Sequence, residues 1–265
     1  MLNAPPGEFH DVVTDVRALL NNDGLLNDIA ADAYREYNTE QMIAVDRGDH
    51  KALITKHGAR GTDEYWDPVA NKVLKFDHFK GEVTEERAAS ADDVDAESEP
   101  YRTAIESKAN EYVKSFYDRG AGAVYSAKSG PITFCISSHF FNNNNFYTGR
   151  WRSVWTVKLA GGKASLEGLI RIQVHYFEDG NVQLNTTYKK TKDGIPAKDP
   201  ASLADLVIKQ ISEFEADYQN QLEINYEKMN NSTFKALRRG LPVTGQKIKW
   251  EKISSYNIGG DLNKK

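Results

Sequence analysis

The residues best suited to nucleophilic, acid–base or metal chemistry are six histidines and a single cysteine, and their spacing supports none of these. A protein metal site draws on histidines four apart on a helix, or on a histidine joined by a set of cysteines. His10, His50, His57, His78, His139 and His175 offer neither arrangement. Cys135 lies between Phe134 and Ile136 in an apolar run, the setting of a buried structural cysteine rather than a reactive thiolate. As the only cysteine, it also rules out an internal disulfide and a thiolate cluster. The segment GLPVTGQK from Gly240 comes nearest to a phosphate loop, but Lys247 stands one place late and no Ser or Thr follows it. The chain is therefore expected to bind and not to catalyse, with no cofactor and no metal.

The chemistry that remains is charge. Formal net charge is −4, yet between Thr233 and Lys265 eight Lys or Arg face only Glu251 and Asp261. That tail carries +6 and the body −10, a division that points to an acidic partner: nucleic acid, an anionic membrane or an acidic protein. Within FKALRR, Lys235, Arg238 and Arg239 fall at i, i+3 and i+4, so a helix there presents one basic face, which Gly240 and Pro242 end or bend. Beyond it, Ile248, Trp250, Ile253 and Tyr256 alternate with Lys247, Lys249 and Lys252. Such a segment either packs its Trp onto its own domain or serves as a docking arm. A basic tail with a Trp also suits a nucleic-acid-binding module that tracks phosphates and stacks a base, which is the alternative function.

The elements that position this tail read as an α+β fold. Apolar residues at helical spacing mark a helix from GEFHDVV to Leu20 and a second from about Gly24 to Asn38, giving a helical stalk over residues 1–39. Residues 40–99 read as short strands, such as ALITKHG and KVLKFDHF, followed by an acidic stretch, GEVTEERAASADDVDAESEP, expected to be a solvated loop. A helix is expected over 100–121. From 122 to 191 the period becomes two, predicting five consecutive antiparallel strands in which Trp151, Ser153, Trp155 and Val157 share a face. Asp199 and Pro200 open a long helix over 198–230, whose stripe of Leu203, Val207, Ile211, Phe214, Tyr218, Leu222 and Met229 suits it to cover the sheet. The tail occupies 231–265. No apolar run reaches the roughly 18 residues of a membrane span, and the N-terminus has no signal pattern, so a cytoplasmic address is expected.

Several segments together resemble one family: APPGEF at Ala4, DVRALLNND at Asp15, GRWRSVW at Gly149, IQVHYFEDGNVQL at Ile172, FKALRRGLPVT at Phe234 and WEKISSYNIG at Trp250. The chain is similar to the alpha subunit of the heterodimeric actin capping protein. That resemblance implies a mushroom-shaped heterodimer in which an obligate beta subunit completes a ten-stranded antiparallel sheet, five strands from each chain. It implies a C-terminal amphipathic tentacle that binds the barbed end of F-actin and blocks subunit addition and loss, in the cytoplasm and the cortical actin cytoskeleton. The actin-binding positions it implies are Lys235, Arg238, Arg239, Leu241, Lys247, Trp250, Lys252 and Ile253. Further partners it implies are CARMIL-type motif proteins, myotrophin, twinfilin, dynactin and anionic phosphoinositides, with no nucleic acid. Relatives usually place an Arg where Gly245 stands here, so Lys247 or Lys249 is expected to compensate. They also carry a stalk helix ahead of APPGEF, which is expected to be missing or truncated.

Overall fold

A computed structural model describes residues 2–90, 93–126, 130–178 and 181–228. The chain divides into two units, Met1–Phe214 and Glu215–Lys265. In the first, helices α1 (Phe9–Leu20) and α2 (Asp23–Glu40) form an antiparallel hairpin. The turn between them forms because Asn21 adopts left-handed backbone (φ 46°) and the Asn22 side chain accepts a hydrogen bond from the Leu25 amide at 3.1 Å. Phe9 stacks on Tyr37 at 4.1 Å and meets Tyr34 edge-on at 4.7 Å, locking the two helices together at their sheet-proximal ends. At the opposite tip the packing runs out, and Leu19 is 85% exposed.

A two-stranded ribbon, β1 (Ile43–Asp46) and β2 (Lys51–Ile54), comes next. It is followed by an antiparallel sheet of β3 (Ala59–Gly61), β4 (Glu64–Asp67), β5 (Lys72–Asp77) and β6 (Glu82–Ala88), in that order. Strand β6 corrects the expected acidic loop. Its acidic side chains are matched across the pair, Glu86 with Lys72 and Glu85 with Lys75, so a sequence too polar to bury forms a solvated edge strand. The end of the same stretch is also ordered. Arg87 pairs with Asp93 at 2.7 Å, and Ser90 donates to Asp93 through both its amide and its hydroxyl. That grip, the Arg87 hydrogen bond foremost, holds the Asp93 carboxyl well below the usual carboxylate range.

Helix α3 (Glu99–Phe116) leads into the main sheet, the meander β7 (Ala121–Tyr125), β8 (Ile132–Asn142), β9 (Tyr147–Ala160), β10 (Lys163–Tyr176) and β11 (Val182–Pro196). Every neighbouring pair is antiparallel, in the order β11-β10-β9-β8-β7. The last strand runs five residues beyond the expected limit at 191. Each face is covered differently. On one, Ala121, Ala123, Tyr125 and Cys135 pack with Met42, Leu53, Trp66 and Val73 from the ribbon and the smaller sheet. Cys135 is fully buried there, which pushes its thiol up to about 12 and leaves it inert, as its neighbours in sequence led one to expect.

The other face carries α3 and the first half of α4 (Pro200–Lys228). Asp199 caps α4, its carboxylate accepting from the Ser202 amide at 2.9 Å. Leu203, Val207 and Ile211 are wholly buried, and Phe214 stacks on Trp155 at 6.1 Å. Trp155 in turn lies flat over Gly168, where a Cβ would come within 2.0 Å of its ring. Of the apolar stripe on α4, Met229 lies outside the described residues.

Two outcomes follow from this packing. Replacing Gly168 with Ala forces Trp155 off the sheet, and chemical denaturation should show a loss of about 3 kcal/mol. His50 sits between Asp49 and Asp67, each at 2.7 Å, with Asp67 buried at the end of β4. Burial by itself lowers the affinity of His50 for a proton, but the two carboxylates outweigh it and its pKa is raised. A raised folded pKa contributes stability in full below the unfolded value of about 6.5, and that contribution is lost as pH climbs through the folded value. The stability difference between the wild type and His50→Gln should accordingly be largest in mild acid and shrink above neutrality.

Candidate docking and assembly site

Helix α2 ends in carbonyls that have no partner within the helix, and no basic residue of its own last turn answers them. The main sheet supplies the answer. Arg152 donates to the Glu40 carbonyl, and Arg150 to both the carbonyl and the side-chain oxygen of Gln41, at 3.4 and 3.2 Å. The two arginines alternate with Trp151 on β9, so both point to the hairpin side while the Trp points to the other. Gln173 on β10 accepts from Arg152 at 2.6 Å and from Gln41 at 3.2 Å, tying both strands to the same helix end.

Glu40 is held from two sides as well, by Lys56 at 3.0 Å and Arg171 at 3.1 Å. Its burial would raise the carboxyl pKa, but these two cations reverse that, and it is lowered. Arg150 and Arg152 are 6% exposed each, and burial brings both down to about 10, with mutual repulsion adding to the effect on Arg152. They remain charged at neutral pH. A buried cation without its acceptors is costly, so the helix end and the arginines hold each other in place.

A second contact fixes the start of α1. Glu8 accepts from the Thr148 hydroxyl at 3.1 Å and pairs with His175 Nδ1 at 2.6 Å, while His175 Nε2 meets Asn181 at 3.2 Å. Gly7 just before it has φ +84° and lies against the Phe141 ring, where a side chain would be strained. Three segments far apart in sequence, APPGEF, GRWRSVW and IQVHYFEDGNVQL, thus meet at one seat.

The remaining feature is an edge. Strand β11 has 15 residues and pairs with β10 along one side; its other side carries no strand among the described residues. Its side chains are mostly exposed, Val182 at 63%. A strand edge of that length is a template for another strand.

The tail positions expected to bind a partner, Lys235, Arg238, Arg239, Leu241, Lys247, Trp250, Lys252 and Ile253, all lie outside the described residues. The seat residues Glu8, Glu40, Gln41, Arg150 and Arg152 were not singled out from sequence, and His175 was considered only as a metal ligand. A signal was present: two arginines on the sheet side opposite three bulky apolar residues of one strand are too costly to bury without acceptors waiting for them. Among the described residues no group of three or more His, Cys, Asp or Glu is placed to hold a metal, and no helix is long and apolar enough to cross a membrane. Replacing Gln41 with Leu removes the side-chain acceptor of Arg150, leaving the backbone carbonyl, and a donor to Gln173. Hydrogen exchange over residues 9–40 should accelerate, with a stability loss of about 2 kcal/mol.

Comparison with known proteins agrees with this architecture. A family model described as F-actin capping protein alpha subunit matches residues 1–261. The F-actin-capping protein subunit alpha of Dictyostelium discoideum is 45% identical, the match covering all of this chain and 95% of that protein. Its counterpart from Caenorhabditis elegans is 38% identical, with 98% and 93% covered. Among solved structures, a homodimeric actin capping protein alpha subunit from Plasmodium berghei superposes with a TM-score of 0.72 at 23% identity, covering 83% of this chain and 87% of that one, a likeness of fold. The chain belongs to the F-actin capping protein alpha subunit family.

Proposed function

We propose that the chain pairs its sheet with that of a beta subunit, and that the heterodimer binds the barbed end of an actin filament and blocks addition and loss of subunits. The observation that supports this is the outer side of β11, which carries no strand among the described residues and offers a place for a second half-sheet. The uncovered leucines at the hairpin tip, Leu19 and Leu25, add a second apolar surface suited to the same partner. Relatives that match the whole chain are named for capping F-actin.

Actin contact falls to the C-terminal tail. Lys235, Arg238, Arg239, Lys247 and Lys252 steer encounter with an acidic filament, and Leu241, Trp250 and Ile253 slow release by burying apolar surface. The division of labour is electrostatic on-rate and hydrophobic residence. This reading makes the protein a binding component of the cytoplasmic actin cytoskeleton, including its cortex, with no catalytic step. The basic tail is also the surface on which anionic phosphoinositides or the acidic face of a regulator such as myotrophin would compete, while CARMIL-type motif proteins, twinfilin and dynactin are the further partners of this assignment.

The test is seeded pyrene-actin assembly with the chain co-expressed with a capping protein beta subunit. Reversing Lys235 and Arg239 to Glu should lower barbed-end affinity by about tenfold or more, and added salt should weaken the wild type more than this variant. Truncation after Met229 should abolish capping while the heterodimer persists. Equal inhibition by the intact and truncated proteins would remove the tail from the mechanism.

A further inference from the structure

Beside the seat, a cavity of about 240 Å³ opens between the end of α2, the turn after β2 and the hairpin-side face of β9 and β10. Its walls combine two chemistries. Met42, Val154 and Leu169 make an apolar floor, and Lys56, Arg152 and Arg171 bring three cations to its rim. The Glu40 carboxylate is bonded to Lys56 and Arg171, while Arg152 donates to the Glu40 carbonyl and to Gln173. Glu167, the other acid lining the space, reaches toward Lys158 at 3.9 Å. Arg152 is 6% exposed, and its Nε has no hydrogen-bond partner among the described residues. A buried guanidinium nitrogen without an acceptor is a standing cost that an incoming oxygen relieves.

The setting says where that oxygen comes from. Glu167, Leu169 and Arg171 on β10 lie directly opposite Thr191, Lys189 and Thr187 on β11, so all six share one face of the sheet. The β11 residues on that face are exposed, Lys189 adding a further cation, and β11 is the outermost strand of the sheet among the described residues, where the proposed partner sheet joins. Whatever pairs with β11 must bring its own covering elements over this face.

We infer that the cavity is a socket for a glutamate side chain of the paired subunit, its carboxylate held by Arg152 and Arg171 and its methylenes on Leu169 and Val154. The shape and charge agree: a space of side-chain size with an apolar floor, and with Lys56, Arg152 and Arg171 set against Glu40 and Glu167, takes an acid with a hydrocarbon stem in preference to a compact, fully hydrated anion. This rests on the heterodimer reading above, and the test separates the two.

A photocrosslinking benzophenone amino acid at Leu169, in the chain co-expressed with its beta subunit, should join the two subunits at a peptide containing a glutamate. Arg171→Glu should weaken the heterodimer by about tenfold, measured by subunit exchange at low salt, with the loss reduced at high salt. Thr156→Phe, which fills the cavity without touching the Glu40–Arg171 pair, should weaken it as well. A heterodimer that forms but crosslinks nothing at Leu169, or crosslinks at a peptide without an acid, overturns the socket and leaves the heterodimer reading intact. Unchanged exchange rates in both variants overturn it too. Failure of the wild-type chain to pair with the beta subunit overturns both.

Discussion

The negative end of one helix, met by two arginines from a sheet strand, is the contact on which the rest of the first unit depends. The last carbonyls of α2 cannot be satisfied within the helix, and Arg150 and Arg152 cannot be buried without acceptors. Each deficit is the other's remedy. Because β9 is the central strand of the meander, the helical hairpin is thereby joined to the middle of the sheet and not to its rim. Glu8 and His175 add a second point, and two points fix a direction.

The opposite faces of the sheet are built on different principles. One is sealed by aromatic stacking, Phe214 on Trp155 over a glycine that must lack a side chain. The other is a mixture of apolar core near β7 and β8 and charged contacts near β9 and β10. Towards β11 the second face becomes polar, with Thr187, Lys189 and Thr191 exposed on it. The contrast with β6 is instructive: that strand is also an edge, but its glutamates are already paired with lysines of its neighbour, so it presents charge and discourages pairing.

Much of this was legible in the sequence. The switch of apolar period near residue 121 located the five strands, Asp199 and Pro200 marked the start of α4, and the flanks of Cys135 gave its burial. Two things were not. Strand β6 was hidden because periodicity and composition report burial, and a strand stabilised by cross-strand ion pairs with both its faces largely solvated buries little. The seat was hidden because its helix-to-sheet partners are separated by 109 residues or more, and nothing local to Gln41 announces that Arg150 will reach it. The resemblance of whole segments to one family carried information that local physics did not, since three of those segments turn out to share one location. Of the tail positions, the sequence alone speaks, through charge and spacing.

The distance along the chain between the two halves of the seat also bears on how the protein is made. Glu8 is separated from His175 by 167 residues. At about 5–20 residues per second of translation, the N-terminal helices leave the ribosome roughly 8–30 s before the strand that receives them. Throughout that interval the greasy side of the hairpin and the bare carbonyls of α2 have nowhere native to go. The docking of the hairpin onto the sheet is thus a late event, one that cannot begin until the fourth strand of the meander has been made.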